Sequence, residues 1–141
     1  MVFQDGATSS VKVVALRADG AIAKGEIAEI VAPDEAGCVL GAKTPVDENG
    51  VDRLVVAVDD VADNEIGLFA VSGPVMLTVP TLTITAYHGL KFHNGAIDTT
   101  GGAAKVDCAE TNNDFAVALE AGSAATELAV WLLGRPVTKS T

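Results

Sequence analysis

Apolar and polar residues alternate along much of this chain with the two-residue period of half-buried strands. Phe115, Val117 and Leu119 alternate with Ala116, Ala118 and Glu120. Thr81, Thr83 and Thr85 alternate with Leu82, Ile84 and Ala86. Ile27–Val31, Leu54–Val58, Ile66–Val71 and Pro74–Val79 are short apolar runs, several of them rich in the β-branched residues that suit a pleated surface. Val39 and Leu40 mark another. Turn signals separate these runs: Asp19-Gly20, Lys24-Gly25, Pro33 to Gly37, Asn49-Gly50 and Ser72-Gly73. Leu90–His93 and Ala96–Thr99, joined by Asn94-Gly95, predict a hairpin, because Asn-Gly tolerates the positive φ angles of a type I′ turn. The pattern predicts an all-β fold of about ten short strands, a compact β-barrel or β-sandwich. Helical periodicity is weak, and Asp34–Gly37 and Gly122–Glu127 are the two places where a helical turn is predicted.

The two ends of the chain carry patterns of their own. Within residues 1–20, Gly6, Thr8, Ser9 and Ser10 are followed by one short strand-like run, with Val11, Val13, Val14 and Leu16. This predicts an N-terminal arm or edge strand over 1–20, ahead of a β-rich domain over 21–141. A lone short strand needs something to pair with. Its partner is this chain's own sheet, a neighbouring subunit or an exposed strand edge on another protein, and because the remaining strands suffice to close a domain, the outside partner is favoured. Near the other end, Leu128, Val130 and Leu132 share one face of a strand. Ala129, Trp131 and Leu133 share the opposite face, and it is apolar too. Both faces must be covered, one by the core and the other by something else, for which another subunit is a candidate.

Length and composition narrow the picture. The chain has 141 residues, enough for one domain with a sizeable core. It is 49 % hydrophobic but only 4 % aromatic, so its layers are built from Val, Leu, Ile and Ala. The apolar runs fall short of the ~20 residues of a membrane helix. The N-terminal residues show no basic region followed by an apolar core, so synthesis in the cytoplasm is expected. The net charge of −10 disfavours direct contact with nucleic acid, whose phosphates need Lys and Arg. It suits solubility and a neutral or basic protein partner.

Candidate chemistry is sparse. His88 and His93 are five residues apart, which places them on opposite faces of an extended strand and away from a shared metal. Asp59, Asp60, Asp63 and Glu65 form an acidic loop without the ligand spacing of an EF-hand. Cys38 and Cys108 belong to no CxxC pair and read as buried free thiols. Thr99 to Gly102 lacks the Lys of a P-loop, and no GxSxG elbow is present. No catalytic residue, metal ligand or cofactor site is therefore assigned.

Three segments carry a resemblance. AIAKGEIAEIVAP (Ala21 to Pro33), IGLFAVSGPVMLTVP (Ile66 to Pro80) and FAVALEAGSAATELAVWLLG (Phe115 to Gly134) together resemble the small β-rich capsid decoration, or cement, proteins of tailed bacteriophages. The stretch Gly89 to Gly102, with Lys91-Phe92-His93, departs from that pattern. The resemblance implies a homotrimer on the outer surface of an assembled head, bound to the major capsid protein and bracing its subunits. It implies a virion protein without enzymatic activity, made in the host cytoplasm and touching neither membrane nor nucleic acid directly. Ala129, Trp131 and Leu133 are then expected at the subunit contact. Val11, Val13, Val14 and Leu16 are expected in a capsid-binding arm. The alternatives are another virion component, such as a tail or fibre module, and a small β-barrel enzyme using His88 or His93.

Overall fold

The computed structural model describes residues 11–32, 40–44, 50–93, 96–99, 114–134 and 137–139. Among these there are eleven strands and no helix. In chain order they are β1 (Lys12–Asp19), β2 (Ile27–Val31), β3 (Gly41–Lys43), β4 (Gly50–Asp52), β5 (Leu54–Ala57), β6 (Ile66–Ile84), β7 (Gly89–His93), β8 (Ala96–Thr99), β9 (Asp114–Ala118), β10 (Gly122–Leu132) and β11 (Val137–Lys139).

The first half closes into a barrel. Its strands run in the order β1-β3-β2-β5-β6, and β6 pairs back onto β1. The closing ladder is antiparallel and matches Leu16 to Gly67 and Val14 to Phe69. On its other side Arg17–Asp19 runs parallel to β3. A barrel of so few strands has a narrow interior, and the residues that fill it are small: Ala18, Ala28, Ala42, Val55 and Ala57 pack with Leu16 around Phe69. The aromatic-poor composition fits this geometry.

The second half is an open sheet in the order β6-β10-β9-β7-β8. Its inner face turns Leu77, Leu90, Leu128, Val130 and Leu132 onto Leu54, Val56 and Ala70 of the barrel's outer wall. β5 thus lies between two cores. Val55 and Ala57 point into the barrel, Leu54 and Val56 point out towards the sheet, and all four are buried. A strand covered on both faces reads as an unbroken apolar run, which is how Leu54–Val58 reads.

β6 joins the two halves. Three separate runs were expected over Ile66–Thr85, but the structure makes one strand of 19 residues. Ser72-Gly73 does not end it. Gly73 takes a φ of 104°, a conformation glycine adopts without steric cost, and the strand continues into the second sheet. Beyond that point Thr78 N–H donates to the Gly25 carbonyl and Gly25 N–H to the Ala57 carbonyl, both at 2.8 Å, so the Lys24-Gly25 turn ties β5 to β6.

Other expectations fared unevenly. Ile27–Val31 is a strand over those same residues, and the predicted hairpin is β7 with β8, where His93 pairs Ala96. Gly122–Glu127, expected as a helical turn, is the start of β10, which pairs with β6 through two register shifts. Asp34–Gly37 lies outside the described residues. The short pair β4 and β11 was not foreseen. The run Val11–Leu16 is the main correction. An outside partner was favoured over the chain's own sheet, but β1 pairs with β6 and β3 of its own chain, and Leu16 is fully buried in the barrel. Residues 1–10 lie outside the described residues.

Candidate interaction surface

The side chains first weighed for chemistry are dispersed or used in the fold. Asp60 accepts the Lys24 N–H and Asp63 accepts the Gly20 N–H, each at 2.8 Å, so two carboxylates of the acidic loop pin neighbouring turns. The Glu26 carboxylate accepts the Ala23 N–H at 2.7 Å in the same manner. Among the described residues no group of three or more His, Cys, Asp or Glu is placed to hold a metal ion. His88 sits in the turn before β7, where its carbonyl accepts the Ala118 N–H at 2.9 Å. Cys38 and Cys108 lie outside the described residues. A groove of about 570 Å³ runs beside β5 and β6, lined by Val11, Val56, Val58, Val75 and Met76, with Lys24 and Glu127 among its charged residues. Among the described residues no histidine lines it.

Among the described residues the fold gathers exposed apolar side chains into two patches, and Leu40 and Tyr87 are exposed as well. The first is the outer face of β6, β10 and β9. Leu128, Val130 and Leu132 are buried, as their shared face required, and the opposite face of β10 points away from the core. There Trp131 is exposed, while Ala129 and Leu133 are half-buried. Register brings further apolar side chains beside them. Ala129 pairs Met76, and Trp131 lies between Pro74 on β6 and Val117 on β9. Leu119 N–H donates to the Ala129 carbonyl at 2.8 Å, which sets the exposed Leu119 in the same row. Met76 and Leu119 were missed in the sequence, because only the register of three strands reveals that they flank Trp131.

The second place is the outer wall of the barrel. Along β1 the alternation turns Leu16 inward and Val13, Ala15 and Arg17 outward. Across the ladder Ala15 pairs Leu68 and Arg17 pairs Ile66, so Val13, Ile66 and Leu68 form an exposed apolar strip. Of the four residues assigned to a capsid-binding arm, Val13 alone is well exposed. Val11 and Val14 are half-buried, and Leu16 is in the core.

No family model matches the chain, and no curated protein matches it. Among solved structures it is similar to the N base of the head fiber protein gp8.5 of bacteriophage phi29. The TM-score is 0.59 at 13 % sequence identity, over 90 % of this chain and 98 % of that one. The likeness is therefore one of fold, and it extends over the barrel and the second sheet together.

Proposed function

We propose that this chain is a structural component of a bacteriophage virion, carried on the outer surface of the head as a homotrimer and bound to the major capsid protein. The observation that carries this reading is the fold match, which spans nearly all of a module that builds the base of a phage head fiber. The exposed apolar faces, the net charge of −10 and the sequence resemblance to decoration proteins point the same way. The work of such a protein is attachment. Many weak contacts that form only on the assembled shell stabilise that shell by mass action, and three linked copies raise avidity without any tighter single contact.

Two roles share this address. A cement protein braces neighbouring capsid subunits, while a fibre base anchors a projecting structure. The phi29 neighbour favours the second, and the resemblance in the sequence favours the first. Purified chain mixed with heads assembled without it should co-sediment with them to a saturating ratio. If its role is cement, the decorated heads should also resist heat better than bare ones. If it is a fibre base, binding should saturate with no change in head stability. Failure to bind heads at micromolar concentration would count against both.

A further inference from the structure

We propose that the groove beside β5 and β6 is covered by this chain's own first residues, with Met1, Val2 and Phe3 seated over the half-buried valines at its mouth. This stands apart from the trimer and from attachment to a head.

The groove is the open end of the second core. Val56, Ala70 and Leu77 line it and are buried members of the core beneath the second sheet. Val11, Val58 and Val75 also line it, pack against that core and are only half-buried. β6 wraps the site. Ala57 pairs Phe69, Gly25 N–H donates to the Ala57 carbonyl, and Thr78 N–H donates to the Gly25 carbonyl. Phe69 and Thr78 are therefore three strand spacings apart, about 15 Å, where nine extended residues would span about 30 Å. The strand bends between them, with Gly73 in the interval, and its two arms hold an apolar hollow of about 570 Å³.

Where the chain enters points to the occupant. Lys12 opens β1 and pairs Ser72, and Val11, just before it, lies in the groove. Among the residues at the ends of the described segments, Val11 alone lines the groove, so residues 1–10 start at its lip. Their large apolar side chains are Met1, Val2 and Phe3, and Gly6, Thr8, Ser9 and Ser10 suit a reversal of the chain. The eight residues from Phe3 to Val11 reach up to about 26–29 Å, more than the ~15 Å across the bend. A segment tethered so closely meets the groove at an effective concentration of about millimolar, ahead of a free segment from another molecule. The rim charges do not choose: Lys24 and Glu127 both line the groove, and Glu26 and Asp60 are bonded into the turn that carries Lys24. The apolar lining does, since a cover of Met1, Val2 and Phe3 takes Val58, Val75 and Met76 out of water.

Methyl-resolved NMR on the full chain tests this. Cross-peaks should join the Phe3 ring to the methyl groups of Val58 and Val75. Deletion of residues 1–10 and Phe3→Ser should each shift the methyl signals of Val56, Val58, Val75 and Met76, with those of Leu16 in the barrel unmoved. A synthetic peptide of residues 1–10, added to the truncated chain at millimolar concentration, should return the shifted signals towards their starting positions, and a scrambled peptide should not. If the truncated chain fails to fold, Phe3→Ser in the full chain reads the same contact. A Phe3 ring without cross-peaks to the groove, or groove signals indifferent to both variants, overturns the proposal. Cross-peaks that arise only between copies, in a sample mixing two differently labelled chains, overturn it as well and give the groove to a neighbouring subunit.

Discussion

At the scale of single residues, Gly20 and Gly25 make an instructive pair. Both hold positive φ, 90° and 84°, so a side chain at either strains the backbone, by about 1–2 kcal/mol. Their surroundings differ. A Cβ on Gly20 meets nothing within 4 Å, whereas one on Gly25 comes within 2.7 Å of Thr78 Oγ1 and 3.5 Å of the Met76 carbonyl. Thr78 is β-branched and slow to yield. Gly20→Ala should therefore cost only the backbone strain, and Gly25→Ala clearly more, about 2–4 kcal/mol in all. Thermal melts of the two variants check this. Equal losses would show that the Lys24-Gly25 turn is not closely packed on β6. Lys24-Gly25 was legible in the sequence as a turn, but not its contact with Thr78, since nothing local in either segment marks the other. Trp131 shows the same divide. Its face was legible as a second apolar surface because Ala129 and Leu133 alternate with buried neighbours. Its companions Met76 and Leu119 were not, because they are set by pairing across strands.

Among the elements, β1 is where local reading fell furthest short. A short run behind a polar segment resembles an arm, and a parallel pairing with β3 leaves no turn signal that could tie the two together. Its place in the barrel changes what truncation should do. Deletion of residues 1–10 should leave a folded, soluble protein. Deletion through Leu16 removes Lys12–Leu16, five residues that pair with β6 and include a fully buried leucine, and should abolish cooperative unfolding. Circular dichroism of both truncations decides the matter, and a folded product of the longer deletion would mean that the barrel does not depend on β1. β6 shows the opposite lesson. Ser72-Gly73 has turn composition, yet the ladders on both sides of it hold the chain extended, and tertiary pairing outweighs local preference.

For the molecule as a whole, the two cores share strands β5 and β6. β6 sends Phe69 into the barrel and Leu77 into the layer beneath the second sheet, and β5 is buried between them. The halves should unfold together. Leu16→Ala in the barrel and Leu128→Ala in the sheet should each cost about 2–5 kcal/mol, and each should shift one common transition. Trp131, the sole tryptophan, reports on the sheet by fluorescence while circular dichroism reports on all strands. If Leu16→Ala leaves the fluorescence transition in place and splits the dichroism curve, the halves are independent. The net charge of −10 bears on attachment at the same scale. In the proposed attachment, a basic patch on the shell would be attracted through solvent, and the Debye length shrinks from about 10 Å at 0.1 M salt to about 3 Å at 1 M. Binding to heads should therefore weaken severalfold over that range, which co-sedimentation reads directly; salt-independent binding would mean that the charge plays no part.

The most direct measurement of the proposed role is imaging of purified phage particles probed for this chain. The account predicts density on the outer face of the head into which three copies of the barrel and sheet fit around a common axis, in contact with the major capsid protein. Density for the chain confined to the tail, or its absence from the finished particle, would contradict it.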